Sequence, residues 1–345
     1  MATPDWDQRI GRRLKLRDLH ILSVVAHWGS MAKAATHLAM TQPAISESIA
    51  NLESVLCVRL LDRGPRGVTP TIYAQVLLRR GHVVFDELHQ GLKEIEFLAR
   101  PTAGDVRVAA GDTMAAGLLP AAIDKLSLRY PAIVVRVAQA SVERMDFREL
   151  RERTVDVALA RVPRAFEEDD LDCEILFDDP HRVVVGAKSP WATRRKVSLA
   201  QMVNEPWLFA SNQMIRELIE EAFKAHGLDV PREAVVGSSI LMRNQLLATG
   251  RFVTVLPESV LRYNARQWAL KALPVDLGVA ARCVAVVTLK NRTVSPVAEL
   301  FVQHVREAAR EIASPFRPTK LVKADGVPIP AAASTPPRTT PNRRA

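Results

Sequence analysis

Residues 29 to 70, GSMAKAATHLAMTQPAISESIANLESVLCVRLLDRGPRGVTP, read as two short helices, a tight turn, a longer helix and a basic hairpin. Ser30 stands where its hydroxyl can accept a bond from an otherwise unpaired backbone N–H and start a helix, with Ala34, Ala35 and Leu38 along one face. The small alanines let a second helix approach closely. That helix starts at Thr41, a capping residue, with Pro43 in the first turn, where a missing N–H is no loss. Ile45, Ile49, Leu52 and Leu56 then recur at the helical period and form the inward face. The opposite face carries Gln42, Ser46, Glu47 and Ser48, short polar groups suited to bonding base edges in a major groove. Beyond the helix, Arg59, Arg63 and Arg66 punctuate a loop with Gly64, Pro65 and Gly67, which can lie along phosphates as a wing. The layout is that of a winged helix-turn-helix. Helix-start chemistry alone would also account for Thr41, Gln42, Pro43 and Ser46, and a solvated face for the arginines.

These residues resemble the DNA-binding domain of the LysR-type transcriptional regulators. The family pattern appears as Gly29-Ser30, Ala34-Ala35, Gln42-Pro43-Ala44-Ile45-Ser46, Leu52-Glu53 and Arg59-Leu60 to Arg63. Met31 and Leu61 stand where the family usually has aromatics, and Glu47 where it has a basic residue. Thr69-Pro70-Thr71-Ile72 replaces a Thr-(acidic)-Ala-Gly signature. The resemblance implies that Gln42 and Ser46 contact base edges and Pro43 a thymine methyl, with Ser30, Lys33 and Thr41 positioning the unit on the DNA backbone. Glu47 either accepts from a cytosine amino group or points away.

The chain has 345 residues, 48% apolar and 25% charged, which allows two or three domains with cores of their own. No apolar run of about 18 residues spans a membrane, and the N-terminus lacks a secretory signal, so a cytoplasmic protein is expected. Cys57, Cys173 and Cys283 are too scattered for a metal site and too few for a disulfide framework. The net charge of +9 is unevenly spread. Residues 314 to 345 hold six Lys/Arg against one Asp, net +5, and residues 1 to 70 hold nine Lys/Arg against six Asp/Glu, net +3. Charge alone is thus a weak argument for nucleic acid.

The winged unit is assigned to 14–70. Residues 71–100 follow as a linker helix and hinge: Leu77, Gly81, Val84, Leu88, Gly91, Ile95 and Leu98 keep steps of four and three, a heptad seam suited to pairing with a copy of itself. The two glycines weaken an isolated helix and fit a place where two backbones come close. A helix packed only on its own domain is the alternative. Arg100-Pro101-Thr102-Ala103-Gly104 breaks it. From Asp105 onward β-branched runs alternate with helical stretches, at 106–109, 133–137, 155–159, 182–185, 252–256 and 284–287, which argues for parallel sheets with crossover helices. Gly111, Leu119-Pro120, Tyr130-Pro131, Asp156-Val157-Ala158-Leu159, Gly250-Arg251-Phe252 and Ser295-Pro296 resemble the effector domain of the same family, an α/β unit built like a type 2 periplasmic binding protein. By that resemblance the domain is 104–313, with one lobe at 104–178 and 283–313 and the other at 179–282. Residues 314–345, rich in proline and net basic, are expected to stay disordered, as a passive extension or an arm adding nonspecific DNA affinity.

Open α/β sheets bind ligands beyond the carboxyl ends of their strands, where helix N-termini offer unpaired N–H groups. Gly111-Asp112-Thr113-Met114, Ala210-Ser211-Asn212 and Gly237-Ser238-Ser239 are such places, and Arg161 follows a strand end. The family's inducer loops fall at matching positions, which makes Thr113, Arg161, Ser211 and Ser239 effector candidates; helix caps and a solvated arginine are the alternative. Donors with little to accept in return suit a small anionic or polyhydroxylated acid. No Gly-x-Ser-x-Gly elbow, Walker loop or His-Glu-x-x-His helix occurs, the histidines lack ligand spacing, and no enzyme, cofactor or metal is expected. His181 is among these histidines, which read as surface or packed groups.

The resemblance implies a one-component transcription factor, forming a homodimer or homotetramer, that binds a double-stranded DNA operator, responds to a small-molecule inducer and acts on RNA polymerase. A small-molecule-binding protein with a vestigial DNA domain and a nonspecific architectural DNA binder are the other classes, and neither explains both halves of the chain.

Overall fold

A computed structural model describes residues 13–65, 67–139 and 146–313. Arg66 and the Pro-rich segment 314–345 lie outside the described residues. The chain opens with α1 (Leu16–Trp28), α2 (Met31–His37) and α3 (Gln42–Leu56), then a hairpin of β1 (Leu61–Gly64) and β2 (Gly67–Pro70). The stretch 29–70 thus holds one short helix, not two; the third helix of the unit precedes Gly29. Ser30 and Thr41 are N-caps, accepting from the backbone N–H of Lys33 and Ala44. Ile21, Leu22, Val25, Ala34, Ala35, Ile45, Ile49 and Leu52 form the core, and Met31 and Leu61 are buried in it where an aromatic was expected.

The hairpin is seated by backbone contact. The Val68 N–H donates to the Gly29 carbonyl at 2.9 Å. Gly67 sits at φ +124°, and a Cβ there would lie 2.2 Å from that same oxygen, so only glycine fits. Glu53 accepts from the N–H groups of Leu60 and Leu61 (2.7 and 3.3 Å), fixing the start of β1. Thr71 joins the hairpin to α4 (Ile72–Ala99) as its N-cap, while its hydroxyl donates to the Arg59 carbonyl at 2.8 Å.

α4 divides its faces differently from the heptad reading. Leu77 and Gly81 pack inside the chain, and a Cβ on Gly81 would meet Leu19 of α1 at 3.0 Å. This glycine therefore admits a side chain of its own protomer. Farther along, Val84, Leu88, Leu92, Ile95 and Leu98 are exposed apolar residues, while Asp86, Gln90 and Lys93 are buried against the following domain.

The remainder continues through β3 (Ala103–Ala110), α5 (Asp112–Ala115), α6 (Leu118–Arg129), β4 (Ala132–Gln139), α7 (Arg148–Arg151), β5 (Val157–Val162), β6 (Leu171–Asp179), β7 (His181–Gly186), β8 (Trp207–Phe209), α8 (Gln213–Ala225), β9 (Glu233–Val236), α9 (Ile240–Ala248), β10 (Val253–Pro257), α10 (Glu258–Asn264), β11 (Leu270–Ala272), β12 (Arg282–Leu289) and α11 (Pro296–Ile312). Two five-stranded sheets result, ordered β4-β3-β5-β12-β6 and β11-β7-β10-β8-β9. They are mixed, which corrects the parallel expectation. β12 runs antiparallel to both β5 and β6, and β7 antiparallel to β10 and β11. The chain crosses between sheets at Pro180 and again before β12. The first strand after each crossing, β7 and then β12, runs against its neighbours. α6 and α11 cover the first sheet around Phe301 and Val305, and α8 covers the second around Trp207 and Phe223.

α4 docks on the first sheet through buried charge. Asp86 accepts from both Nε and NH2 of Arg292 at 2.8 Å and from Arg153 at 2.6 Å. Lys93 lies 3.4 Å from Asp156, which also pairs with Arg107 at 2.9 Å and Arg292 at 3.1 Å. Burial alone raises the Asp156 carboxyl, but hydrogen bonds from the Arg107 side chain and backbone, with the charge of Lys93, outweigh it and hold it at about 2.

Candidate functional site

The polar face of α3 is open. Thr41, Gln42, Pro43 and Glu47 are exposed, as are Lys33, Arg59 and Arg63, while Ser30 and Ser46 are half-buried. The Arg63 guanidinium reaches across from β1 to within 3.5 Å of the Ser46 hydroxyl, which puts hairpin and helix on one surface. Glu47 points into solvent.

The second site is a cavity of about 370 Å³ between the two sheets. β3 and β5 bring Asp112, Thr113 and Arg161 to it, β8 brings Ser211 and Asn212, and Gln139, Ser238, Arg243 and His181 complete its polar lining. Met114, Met214, Ile215, Leu159 and Val255 supply apolar wall. Of the four effector candidates, Thr113, Arg161 and Ser211 line the cavity and Ser239 does not. The Ser239 hydroxyl caps α9 by accepting from the Met242 N–H at 3.3 Å, and its neighbour Ser238 takes the lining position.

Arg161 is not available as the cation. Its Nε and NH2 donate to Asp179 at 3.0 and 2.6 Å, NH2 to Ser259 at 2.9 Å and NH1 to Thr113 at 2.5 Å. Asp179, 1% exposed, also accepts from the Ser259 N–H and hydroxyl. Burial raises the Asp179 carboxyl, yet the Arg161 charge and these bonds bring it below the ordinary value. The cluster ties β5, β6 and α10 together across the lobes. Thr113, accepting from Arg161, keeps its own proton to donate.

The free cationic chemistry lies on α9. Arg243 is 4% exposed, and its Nε meets no acceptor among the described residues. Burial lowers its pKa, against the raising field of Asp112. Asp112 is itself engaged: it accepts from Gln139 at 2.7 Å and, across the cleft, from the Ile240 N–H at 3.3 Å. His181, at the start of β7, is 7% exposed with neither ring nitrogen bonded to a described residue. Burial, reinforced by the charge of Arg161, lowers its pKa to about 3, so the ring is neutral. Sequence reasoning passed over both residues. A signal existed for Arg243, since Ile240, Arg243 and Leu247 share the buried face of one short helix. His181 gave none.

Comparison with known proteins identifies both domains. Residues 16–75 match the bacterial regulatory helix-turn-helix of the lysR family, and residues 99–310 match the LysR substrate binding domain. The chain belongs to the LysR family of transcriptional regulators. As such it is a DNA-binding regulator whose operator binding is modulated through an effector domain. It is 24% identical over 324 residues to the HTH-type transcriptional regulator GbpR of Azospirillum brasilense, covering 93% of this chain and 92% of that one. To the transcriptional dual regulator GltC of Bacillus subtilis it is 28% identical, covering 85% and 96%. Among solved structures, a full-length OxyR variant from Pseudomonas aeruginosa aligns with a TM-score of 0.60 at 21% identity, over 89% of this chain and 99% of that one. CbnR, a LysR family transcriptional regulator, aligns at 0.57 and 20% identity, over 86% and 99%. These likenesses establish the fold of both LysR-type domains. Among the described residues no helix is long and apolar enough to cross a membrane, and no cluster of His, Cys, Asp and Glu could hold a metal.

Proposed function

We propose that this LysR-type regulator is a cytoplasmic, non-enzymatic homodimer or homotetramer that reads its operator with α3 and responds to a small carboxylate held by Arg243. Gln42 and Ser46 read base edges and Pro43 a thymine methyl, while Ser30, Lys33 and Thr41 set the register on the backbone. Arg59, Arg63 and Arg66 contact phosphates. The exposed stripe Val84, Leu88, Ile95 and Leu98 supports pairing through α4. Ligand binding shifts the population between lobe arrangements, moving the DNA-binding units relative to each other and changing RNA polymerase access.

The observation that carries the ligand reading is the buried, unpaired Nε of Arg243 in the cavity wall. Thr113 and the N-terminus of α8 add donors, and the apolar wall favours a carboxylate with an apolar body over a polyhydroxylated acid. The test is a footprint and reporter assay on Arg243→Met. Operator binding is expected to survive and the metabolite response to vanish; an unchanged response removes Arg243 from the site. On the DNA side, Gln42→Ala is expected to weaken specific binding by about 1–3 kcal/mol and leave nonspecific binding nearly intact. Equal loss on random duplexes would refute that assignment.

A further inference from the structure

His181 is buried in the cavity wall with both ring nitrogens unbonded, yet none of the acid's groups invoked above uses it. The charges of Arg161, Arg282 and Arg243 oppose protonation of the ring and that of Asp179 favours it, while the other carboxylate in the lining, Asp112, is bonded to Gln139 and the Ile240 N–H. A neutral imidazole keeps one nitrogen as donor and the other as acceptor. A carboxylate oxygen can satisfy only the donor. A hydroxyl, which both donates and accepts, satisfies whichever nitrogen faces it, and a polar group buried without a partner is unfavourable enough to discriminate between ligands.

Resting on the reading of this cavity as the effector site, we infer that the effector is a hydroxylated carboxylic acid, its carboxylate on Arg243 and its hydroxyl on His181, with an apolar middle against Met114, Met214 and Ile215. The cavity, about 370 Å³, is at the small end of ligand sites, so the acid is compact. His181 is thus the specificity-determining residue and Arg243 the anchor.

The experiment is calorimetric titration of the full-length protein with matched acids: phenylacetate against its ring- and α-hydroxylated derivatives, and hexanoate against its α- and β-hydroxy derivatives. At least one hydroxylated acid is expected to bind about ten-fold tighter than its parent. His181→Phe, which keeps an aromatic ring but no hydrogen bond, is expected to erase that preference, so that hydroxylated and parent acids bind alike. His181→Gln, which restores a donor and an acceptor, is expected to recover part of it and serves if the Phe variant folds poorly. Equal affinity for parents and hydroxylated acids in the unaltered protein overturns the inference and leaves the carboxylate reading standing. A preference that survives in both variants overturns the role of His181. If no acid binds, the carboxylate reading fails and the inference with it.

Discussion

Two buried sets of charged and polar groups in the effector domain differ in one respect. Where α4 meets the first sheet, Asp86, Lys93, Asp156 and Arg292 each face opposite charge within 3.4 Å. In the cleft between the sheets, the Nε of Arg243 and the ring of His181 have no such partner. A buried charge is expensive to desolvate, and it persists either because other groups of the protein neutralise it or because an outside molecule does. The first set therefore belongs to architecture, and the second is the one we propose for recognition. Arg161, which the sequence placed with the ligand, falls in the architectural set through Asp179.

The largest test of that division removes one partner from each set. Arg292→Met leaves Asp86 and Asp156 under-compensated and is expected to destabilise the domain by about 3–5 kcal/mol in denaturant unfolding, with Arg161→Met comparable through Asp179. Arg243→Met, which replaces an unpaired cation with an apolar chain, is expected to leave stability unchanged or slightly raised. Equal losses for Arg292 and Arg243 would erase the distinction.

Acid titration sharpens it. His181 titrates at about 3 in the folded chain against 6.5 in an unfolded one, so between those values the unfolded state binds more protons and stability falls as pH falls. Asp156, at about 2 against 3.8, loses its contribution only below pH 4 in the same direction. Unfolding free energies between pH 6 and 4 are expected to change by up to about 1.4 kcal/mol per unit through His181. That slope is expected to shrink in His181→Phe and to stay in Arg243→Met. A slope untouched by His181→Phe would assign it to other groups.

The smallest effect belongs to Ser239. Its hydroxyl is used within α9, so Ser239→Ala is expected to cost about 1 kcal/mol of stability without altering the metabolite response. A lost response would return Ser239 to the ligand.

How far the sequence reached follows from the range of the interactions. The winged unit was readable because Ser30, Thr41 and Pro43 act within their own helix starts and Ile45, Ile49 and Leu52 keep a local period. The strand runs at 106–109 and 284–287 were visible as β-branched stretches. β6, with Asp172, Cys173 and Glu174 in its first half, and the three-residue β8 and β11 carried too weak a pattern. Strand direction was hidden because β12 pairs with β5 from more than a hundred residues away. The same holds for Arg161: nothing local shows that Asp179 and Ser259 engage it, whereas Arg243 carried a local sign in the face it shares with Ile240 and Leu247. Asp86 and Lys93 had no local sign of burial, because Arg292, Arg153 and Asp156, which pair with them, come from later in the chain.

The ion-paired seat of α4 has a mechanical consequence. The helix has 28 residues, about 42 Å at 1.5 Å per residue, with Asp86 and Lys93 gripped by the first sheet and Thr71 fastened to the winged unit at the other end. It is a rigid lever whose fulcrum is electrostatic. From the grip to Ile72 the arm is 14 to 21 residues, about 21–32 Å, so a tilt of about 7° carries the far end through roughly 3–4 Å, about one base-pair rise of 3.4 Å. If α3 reads the operator as proposed, lobe movements too small to disturb either core would be large enough to move it by about one base step.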